Sequence, residues 1–349
     1  MGDGKVLLLM KTEKKILLVF LIFPVLLCCL FISSCRNNKK IPTEISSCSD
    51  STISGDLIIF HAGSLSIPFR KIKQQFNKEY PNVNVIMEAA GSVACARKIT
   101  DLNRACDIIA SADYKVIDKL LIPKYTGWNI KFVSNEMGIV FNDKSAYNNE
   151  ITKDNWVNIL LRNDVTFGRS NPNFDPCGYR AVLTIKLSEK YYKKPELTNM
   201  FLRKDLNYIR PKEVDLLSLL ETNTIDYIFI YRSVAEQHRL KYLLLPDEIN
   251  LKNPELADLY STVSVNVAGE NPGSVITTKG EPIVYGITIL KNAPNIKAAN
   301  AFLIYLLTEN KGMSIMQTNG QSSLIPAFSE TYDNIPENLK QFSRKSLFK

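Results

Sequence analysis

Residues 56–69 read Asp-Leu-Ile-Ile-Phe-His-Ala-Gly-Ser-Leu-Ser-Ile-Pro-Phe, and the order of chemistry along them sets the fold. Leu57 to Phe60 form a short apolar run with a polar residue on either side, the pattern of a buried strand. Gly63 and Ser64 then make a turn. Ser66 and Pro68 open a helix that carries Phe69, Ile72 and Phe76 on one face and ends before Pro81. The same unit recurs at once: a strand over 83–86, the turn Glu88-Ala-Ala-Gly-Ser92, and a helix over 93–102. A strand over 107–109 and a helix around 116–121 continue it. Strands alternating with helices of this length predict an α/β protein, with a parallel sheet covered by helices on both faces.

A second set of the same kind follows. It has strands over 137–141, 165–167 and 226–231, and helices over 156–161, 176–192, 212–221 and 233–238. Leu216, Leu217 and Leu220 mark the buried side of the helix over 212–221. Residues 262–268 and 282–290 read as two strands around a loose hairpin, and helices over 296–307 and 312–318 close the chain. Two α/β sets predict two lobes around a cleft. The first is expected from 55–134 plus 285–349 and the second from 135–284, with crossings near Asn135 and Tyr285. In open sheets of this kind a ligand sits beyond the carboxyl ends of the strands, where helices begin.

The N-terminus has a different character. Lys5, Lys11, Lys14 and Lys15 precede an apolar run from 16 to 32, followed by Ser33, Ser34 and Cys35. A basic start, an apolar middle and small residues describe an export signal over 1–34. Ile32-Ser-Ser-Cys35 also resembles a bacterial lipobox, which would place a lipid on Cys35. The polar stretch 35–54 is then a tether. Either a cleaved signal or an uncleaved anchor puts the remainder outside the cytoplasmic membrane, on its periplasmic or extracellular face.

The chain has 349 residues, of which 45% are apolar and 22% charged, which excludes a disordered, collagen-like or disulfide-dense class. The net charge of +8 is spread along the chain and marks no nucleic-acid surface. With His61 and His238 as the only histidines, a His-rich metal site is excluded. No CxxC pair or Cys/His spacing suggests zinc. A disulfide between Cys95 and Cys106 fits an oxidising compartment, and the sequence does not decide it. Cys177 falls in a first helical turn, where a thiol pKa is expected to drop.

The informative junctions are those between strand and helix. Gly63 lets a main chain approach a ligand, and Ser64 offers an N–H and a hydroxyl where a helix begins, a setting suited to an anion. Ser92 repeats this at the next strand end, although N-capping explains either serine equally well. The third junction is Gly168-Arg-Ser-Asn-Pro-Asn-Phe-Asp-Pro-Cys-Gly-Tyr-Arg180, where Asp175 and Pro176 read as a helix cap and first helical residue. No Walker or GxGxxG pattern is present, so a small ligand fits better than a nucleotide. An exported hydrolase using Ser64 or Cys177 would need a placed His/Asp pair and, for serine, a GxSxG elbow. Neither is found.

The segments FHAGSLSIPF, EAAGS, SADY, GRSNPNFDPCGYR, RPKEVDL, DYIFIYRSVAEQH and PIVYGITIL resemble the tungstate/molybdate-binding proteins of ABC importers, in the branch common in archaea. The resemblance runs in order from about Gly55 to Gly320. It implies a two-lobed periplasmic-binding-protein type II fold and a receptor that performs no chemistry. Such a receptor delivers its oxyanion to a membrane permease driven by a cytoplasmic ATPase. By position it assigns ligand contact to Gly63, Ser64, Ser92, Asn173, Phe174, Asp175, Glu213 and Tyr231. Asp175 and Glu213 would bind the molybdenum or tungsten directly. No cofactor is expected, and the protein should act as a monomer. Sulfate, phosphate or an organic acid are the alternative ligands on the same fold.

Overall fold

The computed structural model describes residues 52–269 and 273–345. The expected signal, the Cys35 lipid site and the tether up to residue 51 lie outside the described residues. No helix among the described residues is long and apolar enough to cross a membrane.

Two mixed sheets carry the fold. The first contains β1 (Gly55–Ala62), β2 (Val83–Ala90), β3 (Ile108–Ser111) and β4 (Ile130–Ser134). The second contains β5 (Met137–Phe141), β6 (Phe167–Ser170), β7 (Ile209–Arg210), β8 (Tyr227–Tyr231) and β9 (Lys241–Leu244). The chain then forms a hairpin from β10 (Ser264–Ala268) and β11 (Val275–Lys279) and returns to the first sheet as β12 (Val284–Ile289) and β13 (Ser322–Ser323). The first sheet runs β13-β4-β12-β3-β1-β2 and the second β7-β6-β8-β5-β9.

The helices that frame the site are α1 (Ser66–Glu79), α2 (Ser92–Thr100), α3 (Tyr114–Leu120), α4 (Trp156–Leu160), α5 (Pro176–Tyr191), α6 (Leu197–Lys204), α7 (Asp215–Glu221) and α8 (Arg232–His238). On α1 the buried residues are Pro68, Phe69, Ile72 and Phe76, the stripe the spacing predicts. Most of α5 is buried, so it forms the central post of the second half. Around it Trp156, Phe167, Phe201 and Phe229 pack edge to face or tilted, with Phe167 and Phe201 centroids 5.1 Å apart.

The sheets correct the expectation of parallel pairing. β1 pairs in parallel with β2 and β3, but β12 is antiparallel to both β3 and β4. In the second sheet β5 is antiparallel to β8 and β9. Reversal follows from the path, since the chain crosses to the second sheet after β4 and comes back at β12. The two crossings touch, with Asn135 N–H donating to Ile283 O at 3.2 Å. The region 262–290 also differs from expectation. Its hairpin is β10 with β11, and β12 belongs to the first sheet. Gly280 ends the hairpin where a β-carbon would meet Tyr260 O at 2.2 Å. β4, α6 and β9 were not legible as elements. The helix expected from 212 starts at Asp215.

Candidate functional site

Parallel register builds the first wall. β1 and β2 pair residue for residue up to Ala62 opposite Ala90, so the Gly63-Ser64 and Gly91-Ser92 turns emerge side by side. Ser64 and Ser92 are both fully buried. Ser64 Oγ lies 3.0 Å from Tyr285 Oη, and Ser92 Oγ accepts the Ala112 N–H at 2.9 Å. Gly91 is required by its main-chain neighbour, and Gly63 is closely approached by a side chain. A β-carbon on Gly63 would meet the Glu213 carboxyl oxygens at 3.0 and 3.1 Å. On Gly91 it would fall 2.2 Å from Phe174 O, which accepts the Ala94 N–H of α2 at 3.2 Å.

The second wall comes from the loop before α5 and the loop before α7. Asp175 caps α5, Oδ1 accepting the Cys177 N–H at 3.2 Å, with Pro176 as the first helical residue. Its other oxygen accepts the Glu213 N–H at 2.9 Å. The capping expectation for Asp175 is met by one oxygen, and the other ties the loop before α7 to α5. Glu213 is fully buried ahead of α7. Neither of its carboxyl oxygens makes a hydrogen bond of ordinary geometry. Burial, then the neighbouring Asp175 carboxyl, holds Glu213 well above the usual carboxylate range, and burial also raises Asp175. Two adjoining carboxyls out of water do not both ionise unless a positive centre joins them.

Tyr231 closes the far side at the end of β8. Its hydroxyl accepts from Arg180 Nη1 at 3.0 Å, and its ring lies 5.9 Å from that of Tyr285. Arg180 is buried on α5. It also donates to Ala112 O and stands 3.5 Å from Asp113 Oδ2, which takes the Tyr179 hydroxyl proton as well. Asn173 is half-buried, and its Oδ1 accepts the Ala268 N–H of β10 at 2.9 Å. Phe174 presents its carbonyl to α2, while its side chain is 38% exposed.

Gly63, Ser64, Asp175, Glu213 and Tyr231 thus share one buried neighbourhood, with Ser92 at its border and Asn173 and Phe174 supplying its rim. Sequence reading named Asn135 and Tyr285 only as crossings between the lobes, and missed Asp113. Ser64 and Tyr285 are 221 residues apart, and no local spacing signals such a pair. Lys212 is 3.5 Å from Asp215.

The cysteine expectations are corrected. Cys95 and Cys106 are both free and buried. Burial pushes the Cys95 thiol up to about 12 and holds the Cys177 thiol well above its ordinary value, overriding the helix terminus. His61 donates its Nδ1 proton to Ala62 O at 2.8 Å, so neither Ser64 nor Cys177 is hydrogen-bonded to a histidine.

A family model described as bacterial extracellular solute-binding protein matches residues 57–320. A solute-binding protein of Petrotoga mobilis is 49% identical over 291 residues, covering 83% of this chain and 90% of that one. The molybdate/tungstate-binding protein WtpA of Pyrococcus abyssi is 45% identical over 311 residues, covering 81% and 88%. Among solved structures, the periplasmic molybdate-binding protein of Azotobacter vinelandii superposes with a TM-score of 0.56 at 16% identity, covering 76% of this chain and 98% of that one. The sulfate-binding protein SubI of Mycobacterium tuberculosis gives 0.53 at 12%, covering 78% and 88%. At those identities the structures speak for the fold alone, the two-lobed periplasmic-binding architecture. The relatives and the family model go further: this chain belongs to the bacterial extracellular solute-binding proteins.

Proposed function

We propose that this protein captures molybdate or tungstate between its lobes and delivers it to an ABC permease. One lobe is 55–134 with 285–349, the other is 135–284, and the crossings at Asn135 and Tyr285 form the hinge. The observation that carries the reading is the Asp175–Glu213 pair, buried against Gly63 with no hydrogen bond of ordinary geometry to either Glu213 oxygen. Two carboxylates repel a dianion, each by roughly 4 kcal/mol at 4 Å in a medium of effective dielectric about 20. The repulsion is offset if a carboxylate oxygen bonds the metal centre itself, because hexavalent molybdenum and tungsten accept more than four oxygens. Sulfur in sulfate and phosphorus in phosphate do not, so the same two acids that bind one anion repel the abundant ones. The 45% identity to a molybdate/tungstate-binding protein supports this choice.

The remaining contacts are N–H and O–H donors from Gly63, Ser64, Ser92 and Tyr231. Asn173 and Phe174 close the rim. The chain works outside the cytoplasmic membrane, held by a lipid on Cys35 after loss of residues 1–34, as a monomer that leaves its ligand chemically unchanged. Titration calorimetry with tungstate, molybdate, sulfate and phosphate tests the reading. Tight binding of the first two and none of the others is expected. Binding of sulfate alone would overturn it.

A further inference from the structure

Three hydroxyls stand at the site, and two of their oxygens are engaged by groups that can only donate. Ser92 Oγ accepts a main-chain N–H, that of Ala112 at 2.9 Å. Tyr231 Oη accepts from the Arg180 guanidinium at 3.0 Å. For Ser64 the direction of its 3.0 Å bond to Tyr285 is decided one step further back, at Asn135.

The Asn135 amide has one possible orientation. Its Oδ1 accepts the main-chain N–H groups of Glu136 at 3.0 Å and Ser233 at 3.5 Å, neither of which can accept in return. Its Nδ2 is therefore the atom that lies 3.0 Å from Tyr285 Oη and 2.7 Å from Ser233 Oγ. Asn135 fills one acceptor position of Tyr285 Oη, and among the described residues the acceptor within reach of the phenol's own proton is Ser64 Oγ. Burial keeps that phenol protonated. Ser64 Oγ then accepts, and its proton turns away from Tyr285. Among the described residues no acceptor takes the Ser64, Ser92 or Tyr231 proton.

We infer that Asn135 and Tyr285 are positioning residues that aim the Ser64 hydroxyl proton into the oxyanion site, as Arg180 aims that of Tyr231. The chain of bonds begins at the hinge, where Asn135 N–H holds Ile283 O and the amide reads the start of α8. Ser64 is thus a fixed donor only while the halves are docked there. The inference rests on the oxyanion reading of the site given above.

Asn135→Asp, nearly the same shape, reverses the polarity. A carboxylate takes the Tyr285 proton, Tyr285 then accepts from Ser64, and the serine proton leaves the ligand. Tungstate affinity, read by calorimetry, should fall about tenfold, the worth of one directed hydrogen bond. In a Ser64→Ala background the same change should cost less than about twofold. An equal loss in both backgrounds, as from added negative charge or a loosened hinge, overturns the relay and leaves the site reading standing. If Ser64→Ala itself binds tungstate like the unaltered protein, the site reading falls and the relay with it. Should Asn135→Asp not fold, Tyr285→Phe replaces it. Tyr285→Phe/Ser64→Ala should then bind within about twofold of Ser64→Ala alone, and fully multiplied losses overturn the proposal.

Discussion

Asp175 caps α5 and, in the function proposed here, ligates the anion, and mutation can separate the two. Asn caps a helix as well as Asp, so Asp175→Asn should keep α5 intact while removing the ligating oxygen. Tungstate affinity should drop at least about a hundredfold, and the ligand-free protein should lose about 1–3 kcal/mol in denaturation because the amide nitrogen then faces the buried Glu213 N–H. Asp175→Ala should lose the cap as well and cost about 1 kcal/mol more in chemical denaturation. His61 offers a pH test at the same scale. It is buried against Phe69, and desolvation lowers its pKa from 6.5 to about 4. Between those values the unfolded chain binds a proton that the folded protein refuses. The His61 contribution is therefore complete above pH 6.5 and is lost as pH falls toward 4. Up to about 3 kcal/mol is at stake. Urea denaturation at pH 7 and pH 4.5 should show that loss in the unaltered protein, and His61→Gln should flatten it. An unchanged slope in the variant would place the acid sensitivity elsewhere.

At the scale of elements, the N-terminal turn of α2 and the loop before α5 hold each other. Phe174 O meets the Ala94 N–H, and Gly91 leaves it room. A methyl group at Gly91 would fall 2.2 Å from that carbonyl oxygen, in a contact between two main chains that cannot rotate away. Gly91→Ala should cost about 1–3 kcal/mol in denaturation, and tungstate affinity should fall more than tenfold. Loss of stability with unchanged affinity would detach this contact from the site. The β10–β11 hairpin joins the same loop, since Ala268 N–H donates to Asn173 Oδ1 and Arg97 on α2 donates to Gly269 O. Such elements were unevenly legible. α1, α5 and β8 carry strong local signals: a stripe, a cap with proline, and an apolar run. β9, Lys-Tyr-Leu-Leu, is half exposed at a sheet edge and carries no alternation to read. The hairpin was misplaced because β12 looks the same whether it pairs with β10 or enters a distant sheet.

For the whole molecule, the decisive contacts bridge the two sheets. Tyr179 and Arg180 from the second-sheet half meet Asp113 and Ala112 O beyond β3, and Gln237 on α8 donates to Ser64 O at 3.4 Å. Asp113 and Arg180 are each about 2% exposed, so removing one strands the other without water. Asp113→Ala should therefore weaken the contact between the two sheets by about 3–5 kcal/mol, and with it the lobe closure proposed here. Small-angle scattering should show the unaltered protein contracting when tungstate is added and the variant failing to contract. Contraction of the variant to the same radius would mean that the ion pair does not govern closure.

The sequence by itself determined the α/β order, the N-terminal export pattern and the strand-to-helix turns where ligand groups would cluster. These follow from short-range rules: the period of apolar residues, the glycine that frees a main chain, and the aspartate–proline start of a helix. It also carried Asp175 and Glu213 through their neighbouring motifs. Only the tertiary structure decided which strands reverse, that Cys95 and Cys106 are buried without a bond between them, and that Asn135, Tyr285 and Arg180 stand behind the site hydroxyls. Those facts depend on pairs up to 221 residues apart, such as Ser64 with Tyr285, and on burial that sets pKa values against their local tendency. Hydrogen-bond direction and desolvation belong to the assembled interior, where each group's partners are fixed by packing and not by its neighbours along the chain.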